Sequence, residues 1–319
     1  MAYVPDNVLW HERGNLLSAS KNADQSELLA MKFGVAPLDH GVQDDIVADE
    51  HHADLSEHGY VWQDEEIALD QAIGPVISEV DRRLSILGDF YPFQRVGASL
   101  HYRESKTLVY EFCLITSLQK QLSAKPFNRL PVLFELIATE AARFYLGDDA
   151  KGFRTGWPSH DHKERPTGLK DMLEKLSSLC GEFRWHPRFY IEDEPNEPKD
   201  EGMDFVVWKP IDPRLGQLFL LGQCACGDDW DSKLSDLDIK RLERWVNPVT
   251  YVDFVKAFAV PHHIPGHLIF ADVSTRAGLT FDRVRLAIIA ESNHKDFLKK
   301  FNKEEMDEVI SLVSNRYKN

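Results

Sequence analysis

EGMDFVVWKPIDPRLGQLFLLGQCACGDDWDSK, residues 201–233, decides the fold class. MDFVVWKP reads as a short buried strand, IDPRLG as a turn built on proline and glycine, and QLFLLGQCAC as a second, mostly apolar strand. Two strands joined by so short a turn pair with each other. Asp204 is the only acid inside the first strand, and Gln223 is a polar residue inside the second. A carboxylate isolated among Met203, Phe205, Val206 and Val207 is costly unless something compensates it, and a bound cation is one such partner. Adjacent strands can set Asp204 and Gln223 side by side, facing one pocket. GDDWDSKLSDLDIKRLERW then reads as a helix capped by Asp228 or Asp229.

Helices precede this pair. RLPVLFELIATEAARFYLG, residues 129–147, has Pro131 in the first turn, apolar positions at helical spacing and Gly147 as its stop. GLKDMLEKLSSLCGE is a second amphipathic helix, stopped at Gly181. Further upstream, EVDRRLSILGDFYPF is helical, and TLVYEFCLITSLQ is either a strand or a buried helix. Downstream, HLIFADVS has strand character, TFDRVRLAIIAES is helical, and a charged helix covers roughly 295–317. The fold class is therefore α/β.

The chain of 319 residues carries a net charge of -15, unevenly spread. Residues 1–75 hold 15 Asp/Glu against 3 Lys/Arg, whereas the remaining residues hold 37 against 34. The acidity belongs to one segment, read as a mostly helical extension, and residues 76–319 form the main domain. The rest of the chain is free to approach a polyanion, and the acidic segment suits a basic protein partner. No run approaches the ~20 apolar residues of a membrane helix. The N-terminus lacks a signal-peptide pattern, and four scattered cysteines fit a reducing compartment, so a cytoplasmic location is expected.

The order of residues 129–245 resembles the PD-(D/E)xK superfamily of restriction-endonuclease-like nucleases. Their core has a helix bearing Glu, a strand bearing Asp, a strand bearing (Glu/Gln)-x-Lys, and a following helix. The matching residues are Glu135, Asp204 and Gln223, in a chain about a third of which the resemblance covers. It implies a helix–mixed sheet–helix core within about 129–290, and Mg2+, with Mn2+ as substitute, held by Asp204, Gln223 and the carbonyl of Cys224. It further implies phosphodiester hydrolysis of nucleic acid, DNA above all, as in bacterial antiviral defence. The family lysine belongs at position 225, where this chain has Ala225. Lys233, one turn into the next helix, is the expected substitute, with Lys209 as rival on the opposite strand face. Loss of that lysine also fits a nuclease-like module that binds nucleic acid or a protein without cutting.

Other clusters read more plainly. His51, His52, Asp54, Glu57 and His58 have the texture of a solvated loop, as do His262, His263 and His267. Cys224 and Cys226 lack a second Cys/His pair at finger spacing, against a zinc site. Arg283 and Arg285 suit either phosphate contact or a structural pairing with Asp282. No phosphate-binding glycine loop and no nucleophile elbow occurs.

Overall fold

The computed structural model describes residues 6–39, 62–157, 165–187 and 200–316. Contacts divide the chain into two units: residues 1–115 with 263–270 and 301–319, and residues 116–262 with 271–300.

In the first unit, α1 (Asp6–Phe33) and α2 (Trp62–Leu87) pack together beside a three-stranded antiparallel sheet ordered β1 (Val35–Pro37), β3 (Ser99–Tyr102), β2 (Phe93–Val96). Gly34, at φ 82, ends α1 with its N–H on the Ala30 carbonyl. Ala19, Ala23 and Ala30 of α1 are buried, as are Val76, Val80 and Leu87 of α2. Between them lies a buried polar set. Arg83, 0% exposed, donates to Glu79, Asp24, Glu27 and Ser20 at 2.7–2.8 Å. The hydroxyls of Tyr91 and Tyr110 also donate to Glu27.

This arrangement corrects the reading of residues 1–75 as a separate extension. Asp24 and Glu27 are not surface acids but internal partners of Arg83, and position 75 lies inside α2. TLVYEFCLITSLQ resolves into a buried helix, α3 (Val109–Ser117).

The second unit is built on a five-stranded sheet. Its strands β4 (Lys151–Arg154), β5 (Phe205–Lys209), β6 (Leu218–Cys224), β7 (Val255–Ala259) and β8 (Leu279–Phe281) lie side by side in sequence order. β4, β5 and β6 run antiparallel to one another, whereas β6–β7 and β7–β8 are parallel. The β5–β6 register opposes Phe205 to Gly222. Gly222 leaves room for that ring, because a Cβ there would stand 2.0 Å from Phe205 Cζ.

Strand alternation sorts the two sheet faces. Phe153, Val206, Trp208, Phe219 and Leu221 pack against α5 (Leu169–Cys180), through Leu169, Met172, Leu173 and Leu176, and against Leu237, Leu242 and Trp245. The other face meets α4 (Leu130–Leu146), which lies so close that a Cβ on Gly152 would be 3.0 Å from Thr139 Cγ2.

Three element readings change. HLIFADVS is part of a helix, α7 (His267–Ala277): Ile269 and Val273, four apart, are buried, while Leu268 is 69% exposed. Residues 227–245 do not form one helix but a 3-10 turn at Trp230–Lys233 and a short helix, α6 (Ile239–Leu242). Asp229 makes no side-chain cap there, and Asp238 caps α6 by accepting from Lys240 N–H. After α8 (Arg283–Ser292), the C-terminal helix is two, α9 (His294–Lys300) and α10 (Lys303–Arg316). Asn302 separates them and accepts from Glu304 N–H.

Candidate functional site

Asp204 enters β5 with its N–H on the Gly222 carbonyl, 2.8 Å, so residues 204 and 205 both stand opposite Gly222 and the regular β5–β6 register stops at Phe205. The Asp204 side chain accepts the Cys224 N–H at 2.6 Å. Its own carbonyl receives the N–H groups of Thr155 and Gly156 just past β4. These bonds tie the beginning of β5, the end of β6 and the exit of β4 into one corner.

Glu135 reaches the same corner from α4. Alternation along β4 turns Arg154 toward α4 together with Gly152, and Arg154 Nε donates to Glu135 Oε2 at 2.5 Å, both residues being buried. Gly156 makes space for the carboxylate, since a Cβ there would lie 2.3 Å from Glu135 Oε2. Asp200 joins through Trp157 N–H and Gly202 N–H, and Arg165 through the carbonyls of Thr155, Pro166 and Thr167.

Burial pushes the Asp204 carboxyl up to about 7, helped by the charge of Asp200, while the Cys224 N–H and Arg154 pull it back. It keeps a partial solvent face, yet its carboxylate is surrounded by protein. Glu135 is likewise lifted well above the carboxylate range, by burial first and by Asp204 next, with Arg154 opposing. Burial also raises the Cys224 thiol well above its usual value, with Asp204 and Glu135 adding to the effect, so it is held as a thiol. Two acids are thus destabilised by burial and by neighbouring negative charge, and a positive charge relieves both.

A cavity of about 680 Å³ adjoins this corner, lined among others by Glu135, Trp157, Cys224, Lys120, Asn128 and Lys233. Lys233 and Lys120 both line it, and Lys233 Nζ lies 3.3 Å from Asp229 in a largely exposed pair. Lys209 sits at the far end of β5, opposite Leu218 and 3.7 Å from Asp149. Distance along the strand, more than face, separates it from Asp204.

Gln223 goes elsewhere. It shares the face of Leu221, and its Oε1 accepts the Leu237 N–H at 3.2 Å, which anchors the segment entering α6. The regular register ends before it could pair Gln223 with Asp204, and the Gln223 oxygen serves the backbone instead of the Asp204 corner. Arg283 is 0% exposed and donates to the Pro261 carbonyl and Ser117 Oγ, and Arg285 donates to the Thr280 carbonyl. Both have structural bonds in the second unit. His262 lies 3.1 Å from the Gly227 carbonyl, whereas His263 pairs with Glu79 in the first unit, so the histidines of VPHHIPGH do not act as one cluster. The His51–His58 group lies outside the described residues.

Sequence reasoning missed Arg154, Asp200 and Arg165. Arg154 left one signal, an arginine between an apolar residue and Thr-Gly in GFRTG, but the strand carrying it had gone unread.

Among the described residues, no group of three or more His, Cys, Asp or Glu side chains forms a ready metal cage. Mg2+ does not need one, because it keeps several waters and binds through one or two carboxylates together with substrate phosphate. Asp204 and Glu135, hard oxygen donors strained by their negative surroundings, fit that requirement. No helix among the described residues is long and apolar enough to cross a membrane. No known family, curated protein or solved structure matches this chain.

Proposed function

We propose that the chain is a divergent PD-(D/E)xK nuclease that hydrolyses phosphodiester bonds of nucleic acid, DNA above all, in the defence setting that the resemblance implies. One observation carries the reading. A helix bearing Glu135 and the strand that Asp204 immediately precedes are followed by a strand ending in Gln223–Cys224, with Asp204 close enough to Glu135 to raise its pKa. That is the order the resemblance calls for.

Mg2+ would be held by Asp204 and Glu135. When bound, it supplies a Lewis acid for the phosphate and a more acidic water. The chain's own residues do the rest. Lys233, at the cavity wall, offsets the negative charge that grows on the phosphoryl oxygens, and Lys120 and Asn128 orient the strand at the same wall. The Cys224 N–H fixes the Asp204 carboxylate. The test is digestion of linear DNA with Mg2+ by the full chain and by Asp204→Asn and Lys233→Ala. Cleavage by the wild type alone, with all three folded, supports the proposal; equal cleavage by Asp204→Asn sinks it.

A second reading, a module that binds nucleic acid without cutting it, draws on two contacts: Arg154 holds Glu135, and Gln223 Oε1 holds Leu237. DNA binding with no cleavage at any Mg2+ or Mn2+ concentration would favour it.

A further inference from the structure

The Glu135 carboxylate is held by a cation. Arg154 and Glu135 are 5% and 7% exposed, and their Nε–Oε2 contact is 2.5 Å. The geometry is built from both sides: Gly152 and Gly156, flanking Arg154 at every second position, leave α4 and the Glu135 carboxylate the space to approach. The same guanidinium acts on Asp204. Arginine keeps its charge at any physiological pH, so this is a permanent positive charge set against both acids.

We infer that Arg154 is a resident counter-ion of the Glu135–Asp204 pair, which holds Glu135 in the absence of a divalent cation and is displaced from it when the cation binds. The inference rests on the proposed cation site and concerns how that site is regulated. Arg154 is a positioning residue here. It keeps two buried acids from driving the corner apart while the site is empty of metal, and it competes with the metal for the same oxygen. Cation affinity is therefore set below what two buried carboxylates would give by themselves, and a substrate phosphate that draws the guanidinium away would raise it.

Isothermal titration of Mg2+ and of Mn2+ into the full chain at fixed pH and ionic strength tests this. Arg154→Gln keeps an N–H for Glu135 but removes the charge, so it should bind either cation at least tenfold more tightly than the wild type. Arg154→Lys, which restores the charge, should return affinity to within about threefold of the wild type. In the wild-type protein, the Arg154 Nε–H nuclear magnetic resonance signal should shift as Mg2+ saturates, a readout that stands even if Arg154→Gln does not fold. Unchanged or weaker binding by folded Arg154→Gln, or an Nε–H signal that stays put through saturation, overturns the counter-ion and leaves the cation site standing. No binding of either cation by any of the three proteins overturns both.

Discussion

Asp204 combines two demands that pull against each other: a backbone bond that wants a carboxylate, and surroundings that disfavour its charge. With its carboxyl at about 7 in the fold and near 3.8 when exposed, the folded chain holds a proton that the unfolded chain has already released between those values. Stability therefore falls as pH climbs from about 4 to about 7, and the whole penalty stands above 7. Asp204→Asn keeps an oxygen for the Cys224 N–H and removes the charge. It should stabilise the chain by on the order of 2–4 kcal/mol at pH 8 and by little at pH 4.5, as read by thermal melts at both values. Equal gains at the two values would show that ionisation is not the source of the strain. Asp204 was legible because an acid in an apolar strand is a local contradiction visible without any contact. Gln223 misled for a related reason: the regular pairing stops at Phe205, one residue short of Asp204, and Gln223 bonds residue 237, which no spacing rule connects to it.

At the scale of elements, β5 and β6 were legible because a tight Pro/Gly turn joins two apolar runs, and α4 and α5 because proline, glycine and helical spacing mark their ends. β4 and β7 were not: KGFR sets a lysine, a glycine and an arginine into four residues, and β7 joins its neighbours only through parallel pairings, with no hairpin turn to announce it. The Gly222–Phe205 contact tests whether the β5–β6 seam is as tight as it looks. Gly222→Ala should destabilise by about 1–3 kcal/mol through overpacking, measured by urea unfolding, and a loss near zero would mean that the ring swings aside. The packing of α1 on α2 was hidden for a different reason. Sequence charge counting treats every acid as a surface acid, whereas Asp24 and Glu27 are half of a buried ion cluster. Arg83→Met leaves those two carboxylates and Glu79 without their shared cation, so it should cost about 3–5 kcal/mol and lower the urea midpoint of the first unit. A loss under about 1 kcal/mol would restore the view of α1 as a loosely attached appendage.

For the whole molecule, burial of Asp24 and Glu27 changes what the charge asymmetry can mean. Acids neutralised inside a cluster do not repel a distant polyanion, so the repulsive part of residues 1–75 must come from acids other than these. Residues 40–61 hold six of them, Asp44, Asp45, Asp49, Glu50, Asp54 and Glu57, with no Lys or Arg. Deleting residues 1–75 would remove Arg83's partners along with that charge, and would confound folding with electrostatics. Replacing only the six acids by Asn and Gln separates the two. The full chain so altered retains Asp24 and Glu27 as partners of Arg83, and its thermal melt shows whether folding is preserved. Its affinity for DNA should rise at low salt, because charge of the same sign as the polyanion has been removed, and the gain should shrink as the Debye length falls from ~30 Å at 0.01 M to ~8 Å at 0.15 M. Affinity measured across that salt range distinguishes the outcomes. A gain that persists undiminished at 0.15 M would mean that the segment blocks the DNA surface sterically. No gain at low salt would mean that its charge faces away from any nucleic acid the chain holds, and would return the acidic segment to the other expectation made of it, a basic protein partner.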